Sequence, residues 1–199
     1  LARDNALFIR DQLMQPDGSL FHTWKDGKAS IHGFLEDYAQ VIQAYISLFE
    51  ITGDESWVFL ARKLLTWAET NFFDAEQNLF FFSHIGHDQV ITNHYPVEDN
   101  VIMSANSTMA ICLFRLSRLF SEPRLEILSK KMARIVTASF SSWPYAHAHW
   151  GCLLLMLTGE PKEAAVTGAN ALSVAAELQK HYMPELLCVP STAGSSLPL

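Results

Sequence analysis

The stretch Phe34–Asp54, with the sequence FLEDYAQVIQAYISLFEITGD, decides the fold because its apolar residues lie on nearly every side of a helix. The apolar positions of this helix are Leu35, Tyr38, Ala39, Val41, Ile42, Tyr45, Ile46, Leu48 and Phe49. A helix that is apolar almost all round is a buried helix. Residues 105–120 and 144–157 have the same broad apolar character. The sequence therefore predicts three buried helices.

A second kind of helix alternates with these buried ones. Residues 55–71 carry a single apolar stripe at helical spacing, made by Trp57, Leu60, Ala61, Leu64, Leu65 and Ala68. Residues 122–139 carry a similar stripe, made by Leu125, Leu128, Met132, Ile135 and Val136. A striped helix packs one face on a core and turns its polar face to water. The order along the chain is therefore inner helix, outer helix, inner helix, outer helix, inner helix.

Two similar connectors precede the first two inner helices. Residues 17–33 and 74–95 both contain aromatic and β-branched residues bounded by Gly, Asp or Asn, a pattern typical of β-hairpins. The inner helices that follow them begin 69 residues apart, at Phe34 and Met103. Repeated pairs of inner and outer helices stack into α/α solenoids or close into α/α toroids. The predicted fold class is mainly all-α: a partial (α/α)6 toroid of inner/outer helix hairpins, with short β-hairpins in the connecting loops.

The C-terminal part departs from this repeat. Residues 1–160 are interpreted as helical-hairpin repeats that form the second half of an α/α barrel. Residues 161–199 are predicted to form a strand within Pro161–Gly168, a helix over Asn170–Lys180 and an irregular tail from His181, where Pro and Ser residues occur.

Composition and charge exclude several classes of protein. Hydrophobic residues make up 49% of the 199-residue chain, and 14 basic against 21 acidic residues give a formal net charge of −7. With no Lys/Arg cluster, this charge argues against nucleic acid and against anionic membranes as partners. No apolar run approaches the roughly 20 residues of a membrane span.

The cysteines and histidines give no sign of a metal or cofactor. Three cysteines without CxxC or CxH spacing favour a reducing, cytoplasmic location over a disulfide framework or a zinc site. His84 and His87 form an HxxH pair, but no further ligand stands at a typical spacing. We therefore predict neither a metal nor a cofactor.

An ordered set of short segments resembles one family over nearly the whole chain. The segments are FLEDYA (Phe34–Ala39), LFEITGD (Leu48–Asp54), EDN (Glu98–Asn100), MSANS (Met103–Ser107) and PKEAAV (Pro161–Val166). In order and spacing they are similar to the C-terminal part of the thioredoxin-domain-containing proteins related to spermatogenesis-associated protein 20. The chain departs from that family at Met103-Ser104-Ala105-Asn106, where the family usually has a proline and a glycine.

The resemblance implies a longer parent protein, with a thioredoxin-like domain ahead of an (α/α)6 barrel. The barrel is of the type found in six-hairpin glycosidases and N-acylglucosamine 2-epimerases. The chain would then lack the thioredoxin-like domain and the first barrel hairpins. A half barrel exposes inner-helix surface, through which a homodimer is a further expectation. In such barrels the site lies at one mouth, built by the loops that enter the inner helices.

The residues at the starts of the inner helices are the candidate site. Asp37 and Asp99 are the catalytic candidates, because glycoside hydrolysis uses two carboxyl groups. His147 is a third, since a histidine pKa near neutrality suits acid/base work. The predicted ligand-binding residues are Trp24, His32, Glu36, Tyr38, Glu98, Asn106 and Trp150. The alternative is structural: acidic residues and Ser104-x-Asn106 cap helices, and aromatic residues on inner helices form core.

Two functions of different classes follow. In the first, the chain binds a carbohydrate-like small molecule at the inner-helix mouth; if it is an enzyme, the fold resemblance implies a sugar epimerase, isomerase or glycoside hydrolase. In the second, it is a catalytically silent interaction module that presents clients to a thioredoxin-like domain. The first requires convergent carboxylates in a concave site. The second requires an exposed apolar patch.

Overall fold

The computed structural model describes residues 1–85, 94–140, 142–160 and 162–198. The helices are α1 (Ala2–Phe8), α2 (Leu35–Thr52), α3 (Ser56–Asn71), α4 (Ala105–Leu119), α5 (Pro123–Phe140), α6 (Ala148–Thr158) and α7 (Ala171–Leu178). The strands are β1 (Phe21–Lys25), β2 (Lys28–His32), β3 (Phe73–Asp74), β4 (Leu79–Phe80), β5 (Lys162–Thr167) and β6 (Leu186–Ser191). The prediction of a mainly α-helical chain is confirmed. Within the described ranges, no helix combines the length and apolarity needed to cross a bilayer.

The helices form two layers. Three inner helices lie side by side, with α4 between α2 and α6, while α3 packs on α2 and α5 packs on α4. Nearly every residue of α4 is buried, as the broad apolar pattern predicts. The outer helices α3 and α5 bury one stripe each and expose the other face. The predicted alternation of inner and outer helices is thus present. The described helices do not by themselves make a closed ring.

The inner helices α2 and α4 run in the same direction. Glu36 near the start of α2 and Ser104 at the start of α4 line one cleft. At the opposite end, Glu50 in the last turns of α2 forms an ion pair with Arg115 of α4. Parallel inner helices place their N-terminal turns, where the sequence put the candidate site, at one end of the bundle.

Gly53 is the residue that ends helix α2. This glycine has φ 66°, and its N–H donates to the carbonyl of Phe49 at 2.8 Å. A left-handed residue after a helix is normally glycine, because a side chain is strained there. A Cβ at this position would also lie 2.9 Å from the carbonyl oxygen of Pro190. The glycine therefore ends α2 and lets β6 pass close beside it.

The first connector forms the predicted β-hairpin. Strands β1 and β2 pair antiparallel, with Trp24 opposite Ala29 and Lys25 opposite Lys28. The two-residue turn, Asp26-Gly27, has φ values of 51° and 76°, and two positive φ values are the mark of the tight hairpin turn. In the second connector, the two-residue strands β3 and β4 pair antiparallel. Its residues 86–93, including His87, lie outside the described residues.

The C-terminal part is a β-α-β unit. The predicted strand and helix are present as β5 and α7, but the irregular tail expected from His181 is wrong over Leu186–Ser191. These residues form β6, which pairs parallel to β5 and buries Leu187, Cys188 and Val189. A short continuous apolar run is typical of such a buried strand. Pro190 obscured the pattern, since proline weakens a strand assignment.

Glu50 connects this unit to the helical layers. Arg115 donates from Nη2 to Glu50 Oε2 at 2.5 Å, and the backbone N–H of Cys188 donates to Oε1 at 3.2 Å. Gln179 donates from Nε2 to the Glu50 carbonyl at 3.1 Å. Burial raises the pKa of Glu50, while the charge of Arg115 and the Cys188 bond oppose that rise. One side chain thus connects α2, α4 and β6.

Replacing Arg115 by methionine is expected to lower the free energy of unfolding by about 3–5 kcal/mol near neutral pH, because it strands the buried Glu50 carboxylate. The loss shrinks as the pH falls. Burial raises the folded pKa of Glu50 above its ordinary 4.5, so the folded state binds its proton more tightly and the cost fades below that pKa. Urea denaturation near pH 7 and near pH 5 measures both effects.

The matched control is the double variant Glu50→Gln/Arg115→Met, which removes both charges and keeps an oxygen for the Cys188 N–H. It is expected to recover most of the stability lost by Arg115→Met, with little pH dependence. Equal stability of Arg115→Met and the wild type near pH 7 would show that the pair does not hold these elements together.

Candidate functional site

A cleft of about 280 Å³ opens at the N-terminal ends of α2 and α4. Glu36 contributes from α2, and Ser104 and Ala105 contribute from the start of α4. The remaining lining comes from Phe82 and from the loop before α4: His94, Pro96, Glu98, Asn100, Val101, Ile102 and Met103. This is the end of the bundle at which the sequence predicts the site. We call it the mouth cleft.

The cap of α4 forms one edge of the mouth cleft. Ser104 is the N-cap residue, and its Oγ accepts a hydrogen bond from the N–H of Ser107 at 3.2 Å. The prediction that Ser104 caps a helix is therefore confirmed. The N–H groups of Ser104 and Asn106 also have acceptors, in Asp99 and Pro96, so α4 contributes mainly the partial positive charge of its N-terminal end.

The mouth cleft contains two unpaired carboxylates. Among the described residues, neither Glu36 nor Glu98 has a hydrogen-bond or ion-pair partner. Glu36 is half-buried and Glu98 is exposed. The described lining includes no Lys or Arg. The cleft therefore offers free acceptor oxygens and negative charge.

Stacked aromatic rings form a wall of the mouth cleft. The ring of Phe82 stacks on Phe34 with centroids 4.8 Å apart and on His94 with centroids 5.1 Å apart. Backbone hydrogen bonds fix this wall to the start of α2: the N–H of Leu35 donates to the Phe82 carbonyl, and that of Phe82 to the His94 carbonyl. Sequence reasoning missed Phe82 and His94 as lining residues. The aromatic run 80–82 was the available signal.

Asp37 caps a helix in the structure. Its Oδ2 accepts a hydrogen bond from the N–H of Phe34 at 2.8 Å, which caps α2. The same oxygen lies 2.9 Å from Nδ1 of His22 on β1. This carboxylate holds the first hairpin to the inner helix and does not line the mouth cleft.

Asp99 has a similar role between two helices. Its Oδ1 accepts from the N–H of Ser104 at 2.9 Å, and its Oδ2 accepts from the N–H of His149 at 2.8 Å. Its own N–H donates to the Ala146 carbonyl at 2.7 Å. Asp99 therefore connects the starts of α4 and α6. The capping alternative describes both aspartates, and their catalytic role stays a prediction.

The two histidines at the start of α6 are both engaged. His147 is buried, with Nδ1 3.0 Å from the Trp143 carbonyl and Nε2 3.3 Å from Ser139 Oγ. His149 Nδ1 lies 2.8 Å from Ser107 Oγ. Burial lowers the pKa of His149, and the charge of Asp99 opposes this. Ser107 is completely buried, so the Ser107–His149 pair supports the helix contact and offers no accessible nucleophile.

Three predicted ligand-binding residues are buried instead, and two of them hold segments that line the mouth cleft. The hydroxyl oxygen of Tyr38 accepts from the N–H of Leu20 at 2.7 Å. Asn106 bonds both the N–H and the carbonyl of Phe80, at 2.8 and 2.9 Å. Trp150 donates from Nε1 to the Val97 carbonyl at 2.8 Å. Asn106 and Trp150 thereby fix the strand and the loop that carry the lining residues.

Trp24 and His32 lie on the first hairpin, away from the lining of the mouth cleft. Trp24 is 37% exposed and packs edge-on against Phe8. His32 is exposed, and its ring stacks on Phe21. Of the predicted site residues, the structure thus brings together Glu36 and Glu98 in one cleft and distributes the others among helix caps, core and hairpin.

Neither a metal-binding group nor a comparison with known proteins identifies the function of the mouth cleft. Among the described residues, no group of three or more His, Cys, Asp or Glu side chains is arranged to hold a metal ion. No protein-family model and no curated protein matches the chain. The geometry of the mouth cleft is therefore the main indication of function.

The neighbouring acids Glu98 and Asp99 provide a matched test of these roles. Asp99→Asn is expected to lower the free energy of unfolding by about 1–3 kcal/mol, because one of two buried backbone N–H groups loses its acceptor. Glu98→Gln is expected to change it by less than about 0.5 kcal/mol, because Glu98 is exposed and unpartnered. Urea denaturation followed by circular dichroism measures both. Equal effects of the two substitutions would contradict the capping role of Asp99.

Proposed function

We propose that this chain binds a small, neutral or amino carbohydrate-like molecule in the mouth cleft. The observation that carries the proposal is the pair of unpaired carboxylates, Glu36 and Glu98, facing a cleft with a stacked aromatic wall. Carboxylate oxygens accept hydrogen bonds from sugar hydroxyls, and flat aromatic rings suit the C–H face of a sugar ring. Binding sites commonly combine an apolar wall with a few converging polar groups in this way.

The charge of the mouth cleft narrows the ligand class. A phosphorylated or carboxylated sugar would meet two carboxylates and no described Lys or Arg side chain, so its anionic group would be repelled. An ammonium group would be attracted, although two exposed or half-exposed carboxylates contribute modestly in water. The proposed order of affinity is therefore amino sugar, then neutral sugar, with sugar phosphates weakest.

Any proton transfer at this cleft is assigned to Glu36 and Glu98. Glycoside hydrolysis and epimerisation both need a group that gives and a group that takes a proton. Asp37 and Asp99 are occupied by backbone N–H groups, whereas the two glutamates are free. The fold resemblance adds the wider proposal: a partial (α/α)6 toroid, of sugar epimerase or glycosidase type, from a parent with a thioredoxin-like domain.

A thermal-shift experiment tests the mouth cleft. Glucosamine at about 100 times its dissociation constant is expected to stabilise the wild type by roughly 2.7 kcal/mol, glucose less at equal concentration, and glucose 6-phosphate not at all. Glu36→Gln and Glu98→Gln are expected to lose most of the glucosamine shift while keeping the stability of the unliganded protein. Glu76→Gln, at an exposed acid outside the cleft lining, is the control that keeps the shift.

Two outcomes would count against the proposal. A glucosamine shift of equal size in all variants would place binding elsewhere on the chain. If no sugar shifts the melting temperature, the alternative function, an interaction module, is favoured instead.

The alternative is an interaction module, and a second surface of the chain favours it. Leu155 of α6 is 73% exposed, and Cys152 on the same helix is exposed. These residues line an apolar groove of about 460 Å³ together with Tyr182 and Pro184. An exposed apolar groove on an otherwise buried type of helix is typical of a contact surface. We propose that this face binds a second copy of the chain.

Leu155→Asp tests this alternative without harming the fold. The side chain is largely exposed, so the free energy of unfolding is expected to change by less than about 0.5 kcal/mol. Self-association, measured by sedimentation at increasing concentration, is expected in the wild type and lost in Leu155→Asp. Ile127→Asp, at an exposed aliphatic position on α5, is the matched control. A monomeric wild type, or equal effects of both substitutions, would contradict self-association through α6.

A further inference from the structure

A second polar cleft lies at the opposite end of the inner helices from the mouth cleft. It has a volume of about 300 Å³ and is bounded by the last turns of α2, by α4 and by the chain between α7 and β6. Its polar lining is Ser47, Glu50, Arg115, Gln179, His181 and Cys188. None of these residues lines the mouth cleft. We call it the basal cleft.

Arg115 brings unused hydrogen-bond donors to the basal cleft. Its Nη2 donates to Glu50 Oε2 at 2.5 Å, but neither Nε nor Nη1 makes a hydrogen bond to any described residue. The side chain is only 17% exposed. A guanidinium presents five donors in a planar fork. Much of this fork is thus held in a confined cleft without a protein acceptor.

The carboxylate of Glu50 is already engaged. Its Oε1 accepts from the Cys188 N–H, and its Oε2 accepts from Arg115. Gln179 donates from Nε2 to the Glu50 carbonyl. The exposed side chains of Ser47 and His181 make no hydrogen bond to the described residues and can donate or accept. The unused donors with a fixed charge are therefore those of Arg115, and an occupant that pairs with them must supply acceptor oxygens.

The remaining lining is apolar. Ile51, Met183, Pro184 and Leu186 surround the polar end of the basal cleft. The carboxylate of Glu50 limits how much negative charge can be placed beside Arg115, because like charges at short range repel strongly in a confined site. A planar, singly charged carboxylate matches the fork in geometry and charge better than a phosphate dianion does.

We propose that the basal cleft binds a small carboxylic acid as its anion, with a short apolar chain. One carboxylate oxygen accepts from Nη1 of Arg115 and the other from the second N–H of Nη2, and the carbon chain lies against Met183 and Leu186. Ser47 and His181 are positioned to donate at the open side. This site is independent of sugar binding at the mouth cleft and uses none of its residues.

A titration with three six-carbon probes tests the proposal. Hexanoate, hexanol and hexylamine each carry a short apolar chain and differ in the head group, which is a carboxylate, a neutral hydroxyl and an ammonium. Backbone amide shifts in two-dimensional NMR spectra are expected to move saturably for Ile51, Leu186 and Cys188 with hexanoate. Hexanol is expected to bind at least tenfold more weakly, and hexylamine is expected to cause no shift at these amides.

Two variants separate a specific site from a merely apolar cleft. Arg115→Lys keeps the charge opposite Glu50 but lacks the planar fork, and it is expected to weaken hexanoate at least tenfold. Glu50→Gln/Arg115→Met removes both charges and is expected to abolish the preference for hexanoate over hexanol even if Arg115→Lys does not fold. The mouth variant Glu36→Gln/Glu98→Gln is expected to bind hexanoate as the wild type does.

Three results with the wild type and the double basal variant would overturn the proposal. They are an equal response to hexanoate and hexanol in the wild type, unchanged hexanoate binding in the double basal variant, and no response to hexanoate at all. Loss of hexanoate binding in the mouth variant would likewise show that the ligand does not occupy the basal cleft.

Discussion

The burial of α4 is the constraint on which the rest of the structure depends. A helix with almost no exposed face must be covered on every side, and α2, α5 and α6 supply that cover. Burying apolar side chains is the main favourable contribution to folding, but it also removes the helix ends from water, so their N–H groups need acceptors. Ser104 and Asp99 supply them, and because Asp99 also caps α6, covering α4 brings the inner N-termini together. The position of the mouth cleft is therefore a consequence of core packing.

The same constraint divides each acidic pair into one structural and one free member. In Glu36-Asp37 and in Glu98-Asp99, the aspartate accepts backbone N–H groups and the glutamate stays unpaired. Each aspartate carboxylate lies within reach of N–H groups at a helix start: that of Phe34 for Asp37, and those of Ser104 and His149 for Asp99. The glutamates line the mouth cleft instead and have no partner among the described residues. Each pair thus fixes a helix start and leaves one carboxylate for the cleft.

Much of the fold follows from sequence periodicity, whereas the site depends on contacts that periodicity does not encode. The broad apolar pattern of α2 and α4, the stripes of α3 and α5, and the turn at Asp26-Gly27 are local signals, and each predicts its element correctly. The ion pair between Glu50 and Arg115 joins residues far apart in the chain, and no local pattern indicates it. Which acid of a pair caps and which faces a cleft depends on backbone geometry at the helix start. Strand β6 is not predicted because Pro190 obscures its short apolar run, and only the contacts with α2 and α7 reveal its burial.

Helix electrostatics favours the charged group that each cleft presents. The N-terminal end of a helix carries a partial positive charge and the C-terminal end a partial negative one. The mouth cleft, at the N-terminal ends of α2 and α4, has unpaired glutamates, and the basal cleft, at the C-terminal end of α2, has the incompletely bonded guanidinium of Arg115. Each group therefore lies at the helix end that stabilises its charge, which offsets part of the cost of leaving it without a full set of protein partners. Parallel inner helices with unlike ends thus place clefts of different character at the two ends of the bundle, one lined by glutamates without partners among the described residues and one by the guanidinium of Arg115.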